Sequence, residues 1–109
     1  MSKPTALLQG TLHLLILKIL HLEPRTGWSI SHRLRQMSNE ALQVSHGSLY
    51  PALHKLENEG WIAGEWRESP TGRASKLYSL TAAGQARLEL ETANWAKLST
   101  AINGIVEST

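Results

Sequence analysis

Residues 44–80, VSHGSLYPALHKLENEGWIAGEWRESPTGRASKLYSL, constrain this chain more than any other stretch. They read as a helix, a strand, a glycine-containing turn and a second strand. Leu49, Ala52, Leu53 and Leu56 follow the i, i+3, i+4, i+7 rule and share one helix face. Gly47, Tyr50, Pro51, His54 and Asn58 fall opposite, with Lys55 at the edge. Small, polar and cationic groups on a helix that opens with Ser45-His46-Gly47-Ser48 suit insertion into a groove, where bulk would clash. The hairpin turn ends in Thr71-Gly72-Arg73, which suits a basic wing straddling phosphates. Helix plus wing is how a winged helix-turn-helix domain meets double-stranded DNA.

The flanking segments complete such a domain. Residues 1–6 lack apolar periodicity and are expected to trail. A first helix is expected over about Leu7–Leu22, stopped by Glu23-Pro24, because a residue before proline avoids helical backbone. Leu8, Leu12, Leu15, Ile16 and Ile19 line one face of it, and Leu7, Leu14 and Leu17 lie roughly opposite. A helix apolar on two faces is buried on two faces. One face would cover this chain's own core and the other a second chain. The second helix, about Gly27–Ser38, turns Ile30, Leu34 and Met37 inward and leaves Arg33 and Arg35 free. Ser45 is a good N-cap for the third helix. Pro51 costs about 3 kcal/mol deep inside a helix, so that helix either starts near Ser48 or bends at the proline. It ends at Gly60. Strands follow over about Trp61–Arg67 and Ser75–Leu80, and Thr81 caps a last helix, about Ala82–Val106.

That last helix carries a second pattern. Leu88, Glu91, Trp95, Leu98, Ile102 and Ile105 are spaced three and four apart by turns, a heptad seam with one polar interruption. A lone helix beyond a compact domain cannot bury such a seam against itself, so the pattern predicts a homodimer. The fold class expected is mainly α with a small two-stranded β wing. Residues 1–80 form the winged helix-turn-helix domain, its first helix shared with the dimer interface, and residues 81–109 the dimerisation helix.

Composition narrows the function classes. The chain of 109 residues has no cysteine, which excludes disulfides and thiolate metal sites and suits a reducing cytosol. The apolar run Leu12–Leu22 is interrupted by His13, Lys18 and His21 and is too short to span a bilayer. The expectation is a soluble, cytoplasmic, nucleoid-associated protein without membrane contact. The net charge of +2 is modest for a DNA binder, although residues 25–78 hold seven basic and five acidic side chains. Catalysis finds no support. His13 and His21, like His46 and His54, stand eight apart with no HExxH pattern and no carboxylate cluster, so neither metal nor cofactor is expected. There is no glycine-rich phosphate loop and no Ser-His-acid set in a recognisable context.

Five words of sequence carry a resemblance: Leu12–Leu20, Gly27-Trp28-Ser29-Ile30, Gly47–Glu57 (GSLYPALHKLE), Gly60-Trp61-Ile62 and Tyr78–Gly84 (YSLTAAG). Over about residues 7–106 the chain resembles the PadR-like bacterial transcriptional regulators, in their short form with a single C-terminal helix. The resemblance implies a homodimeric repressor relieved by a small-molecule effector. In some members of the family it resembles, flat aromatic or cationic ligands bind between subunits against an aromatic on the last helix.

On these grounds the DNA-facing set is Ser45, His46, Gly47, Ser48, Tyr50, Pro51, His54, Lys55, Arg73 and Lys76. Ser45, His46 and Ser48 sit near a helix N-terminus, where backbone amides favour phosphate. Lys55 suits phosphate because a flexible cation positions without specifying. Each has a plainer reading: the Tyr50 hydroxyl as a local cap, Arg73 and Lys76 as solubilising charges paired with Glu65 or Glu68. Trp61 and Trp66 read as core or wing packing. The dimer set is Leu7, Leu14, Leu17, Leu88, Trp95, Leu98, Ile102 and Ile105. Trp95 is either an aromatic knob in the seam or, with Glu91 as counter-charge, one wall of a ligand site. A rival from another class is a winged helix retained for protein–protein interaction without DNA.

Overall fold

The computed structural model describes residues 6–109, with side chains from Thr11 onward. The trailing segment therefore falls outside the described residues apart from Ala6, which already begins a helix, and so do the side chains of Leu7 and Leu8. In chain order the elements are α1 (Ala6–Leu22), β1 (Arg25–Thr26), α2 (Gly27–Met37), α3 (His46–Asn58), β2 (Ile62–Glu68), β3 (Ala74–Leu80) and α4 (Ala82–Val106). The fold is a winged helix extended by one long helix. The sheet gains a strand over the two expected: the order is β1-β3-β2, with Arg25 opposite Tyr78 and Thr26 opposite Leu77. Two residues before a helix are too few to show alternation, so periodicity could not reveal β1.

Local chemistry explains the boundaries. Thr26, Ser45 and Thr81 each accept a hydrogen bond from the amide three residues on, capping α2, α3 and α4. At the end of α3, Gly60 adopts φ +78° and donates to the Glu57 carbonyl, while Trp61 donates to Leu56, the paired bonds of a Schellman motif. Thr81 also donates to the Gly60 carbonyl at 2.6 Å, which ties the start of α4 to the end of α3. Helix α3 begins at His46 despite Pro51, which sits inside it and leaves the Gly47 carbonyl without its helical donor.

The core is built from Ile16, Leu17, Ile30, Leu49, Leu53, Leu56 and Ile62, all fully buried. Two interface expectations are corrected here. Leu17 is fully buried and Leu88 is 5% exposed within the single chain. The reason is that α1 contacts α2, α3 and β3 and also this chain's own α4. On the second apolar face of α1, Leu17 is thus covered without a partner and Leu14 stays half-buried, while the first turns of α4 belong to the same core. Met37, expected inward, is half exposed at the end of α2.

Candidate nucleic-acid interface

The capped start of α3 and its buried leucines fix which side of the helix meets solvent. Gly47, Pro51, His54 and Asn58 form the exposed ridge. Ser45 and His46 are exposed at its head and Ser48 is half-buried. Tyr50 flanks the ridge on the α2 side, 44% exposed, with its ring against Gly27 and edge-on to His46 at 5.6 Å. Lys55 and Ser48 flank it on the α1 side, where they line an open recess with Leu12, His13 and Pro51. His13 titrates below the usual histidine range: burial is the largest cause, Lys55 and then Arg87 repel its proton, and Glu91 opposes them.

The wing tip is ordered by its own hydrogen bonds. Ser69 donates its amide to the Arg73 carbonyl at 2.8 Å, and Gly72, at φ +82°, donates to the Ser69 carbonyl at 2.9 Å. The Ser69 hydroxyl accepts from the Arg73 amide and meets the Thr71 hydroxyl at 2.8 Å. Arg73 is exposed and forms no ion pair among the described residues.

Three expected features differ. Lys76 is not a free wing cation: its ammonium lies 2.9 Å from Glu57 of α3, a partner on another element. That hydrogen bond raises its pKa above the ordinary lysine value. Arg35 on α2 is ion-paired with Glu40 rather than free. Trp66 is 68% exposed instead of packing the wing, whereas Trp61 is half-buried against the core with Arg87 stacked 4.7 Å from its ring. Sequence reasoning also missed Gly27, which seats Tyr50, and Glu57, which holds Lys76. Strand alternation places Trp66 on the face it shares with Ile62. Whether α3 reaches far enough to cover it was not legible from alternation.

On α4, Trp95, Leu98, Ile102 and Ile105 are exposed. Leu14, Glu91, Trp95 and Leu98 come together around a cleft of about 120 Å³, with Thr11 and Asn94 completing the wall. Glu91 is already held by Arg87 one turn earlier, at 3.1 Å. The cleft is smaller than the roughly 300 Å³ a drug-sized ligand needs. Among the described residues no three metal-ligating side chains gather, and no helix is long and apolar enough to cross a membrane.

Comparison with known proteins bears on this arrangement. The model of the transcriptional regulator PadR-like family matches residues 16–90. A PadR-like transcriptional regulator from Bacillus cereus is 30% identical, with a TM-score of 0.82 over 96% of this chain and 100% of that one. A transcriptional regulator from Clostridium thermocellum has a TM-score of 0.88 over 94% of this chain and 100% of its own. At 23% identity it speaks to the fold alone. The transcriptional regulator Rv3488 of Mycobacterium tuberculosis is 43% identical over 54 residues, half of each chain.

Proposed function

The chain belongs to the PadR-like family of transcriptional regulators, and we propose that it is a homodimeric repressor of a pseudo-palindromic operator. Like its relatives it is a transcriptional regulator and not an enzyme. The observation that carries the reading is the exposed α3 ridge, flanked by Tyr50 and Lys55 and accompanied by the exposed Arg73 of the wing. Gly47 and Pro51 keep the ridge low enough for a groove, and the first-turn amides of α3 suit phosphate. Ser45, His46, Ser48 and His54 join the contact set. Lys76, tied to Glu57, does not.

The exposed apolar residues of α4 support dimerisation, with Leu14 beside them and Leu17 and Leu88 removed from the set. Two copies would double the basic face and enlarge the Trp95 cleft, so an effector that is planar and aromatic or cationic would be held between subunits against Trp95. The modest charge of +2 favours the rival reading, a winged helix used for protein interaction alone. Footprinting on the DNA upstream of the protein's own gene decides between them. A protected, two-fold symmetric site supports a dimeric DNA-binding regulator; no protection there or on any selected duplex supports the rival.

A further inference from the structure

Strand register puts Ile62 opposite Leu80, Gly64 opposite Tyr78 and Trp66 opposite Lys76, and paired residues share a face of the sheet. Ile62 and Tyr78 are buried on that face, so it is the side turned to the core and to α3. Farther along the wing, Lys76 reaches back to Glu57 in the last turn of α3, at 2.9 Å, each side chain only about a quarter exposed (26% and 29%). A Cβ on Gly64 would overlap the Lys76 stem and stand 3.1 Å from the Glu57 carboxylate, so the glycine leaves the channel through which the lysine passes. The ammonium sits 5.5 Å from the Tyr78 ring and 5.8 Å from the Trp66 ring, within cation–π range of both. Among the described residues, no other ion pair joins the wing to another element.

We propose that Lys76 is a positioning residue: with Glu57 it forms a strut that sets the angle between wing and recognition helix and holds the exposed Trp66 indole beside α3. The inference rests on the DNA-binding reading and deepens it. An ammonium neutralised by a carboxylate is poorly suited to a phosphate, whereas a half-buried pair between two elements fixes their relative orientation. That orientation decides whether α3 and the Arg73 tip reach one duplex together, and therefore how well one sequence is preferred over another.

The test uses the full chain and a duplex enriched from a random-sequence pool by the wild-type protein, with preference over random duplex as the readout. Glu57→Gln is expected to lower that preference about tenfold, as coupled contacts do, and Lys76→Glu to lower it further. The exchanged pair Glu57→Lys/Lys76→Glu should recover to within about threefold of the wild type, because the strut is rebuilt with its charges reversed. If Lys76 met phosphate instead, Glu57→Gln would tighten binding and the exchanged pair would stay as weak as Lys76→Glu alone. Either result, or wild-type preference in Glu57→Gln, overturns the proposal. Should the wild type enrich no duplex, the DNA-binding reading fails, and amide exchange across β2–β3 of the free protein tests the strut by itself. Exchange faster in Glu57→Gln and slowed again in the exchanged pair supports the strut; equal exchange in all three rejects it.

Discussion

Tyr50 of α3 lies across Gly27, the first residue of α2: a Cβ at position 27 would stand 2.8 Å from the Tyr50 hydroxyl and 3.0 Å from its ring. Any side chain at 27 therefore competes with the tyrosine for its seat. Gly27→Ala puts a better helix former in α2 while displacing the ring. Duplex binding should fall about tenfold in Gly27→Ala and in Tyr50→Ala, and by no more in the double variant, because both changes remove one contact. Losses that add would mean that Gly27 acts by another route.

The wing tip gives a second prediction. Arg73 is exposed at the end of a turn closed by Ser69, so its removal leaves the turn intact. Arg73→Ala should cost about 1–3 kcal/mol of operator binding and relax sequence preference if the guanidinium reads a base edge. If it meets phosphate, the salt dependence should flatten by about one contact per subunit instead. Unchanged binding on both counts would remove the tip from the interface.

Burial separates two leucines that share one seam. Leu88 is 5% exposed and Leu98 is 50% exposed. Leu88→Lys places an unpaired charge in the core and should unfold the chain or cost several kcal/mol, on the order of 3–5. Leu98→Lys should leave each subunit folded and yield monomers by light scattering, with weaker operator binding. A Leu98→Lys protein that remains dimeric would put the subunit interface elsewhere.

His13 makes the stability depend on pH. Its folded-state pKa lies below the ordinary histidine value through burial first, then Lys55 and Arg87. Between that depressed value and about 6.5 the unfolded chain binds more protons, so stability is full above about pH 6.5 and declines as pH falls. His13→Gln removes the titrating group. The drop in melting temperature between about pH 7.5 and about pH 5 should be smaller in the variant than in the wild type. An equal drop would assign the acid sensitivity to other histidines.

Much of this was legible in the sequence because helix periodicity and caps are local signals. The stripe Leu49, Ala52, Leu53, Leu56 marked the buried side of α3, and Ser45 and Thr81 cap where their side chains suggested. What escaped depends on the distance between elements. Heptad spacing in α4 is the same at Leu88 and Leu98, yet only Leu88 is buried in the chain's own core, so spacing could not say where that core ends. From the sequence Lys76 reads as a DNA-facing cation or as a partner for acids of its own hairpin, whereas its partner, Glu57, lies nineteen residues away on α3. Trp66 carries the residue type of a core position, yet it is 68% exposed on the wing.

If two copies of this winged helix hold a DNA duplex by its phosphates, binding to random duplex must weaken steeply across a salt titration. Each neutralised phosphate contributes a slope of about −0.9 to log affinity against log salt. A dimer engaging at least about four phosphates through Lys55, Arg73 and the α3 amides should lose about a hundredfold in affinity between about 50 mM and about 200 mM salt. Binding that is absent at low salt, or indifferent to salt across that range, would contradict the account and leave the fold to a protein partner.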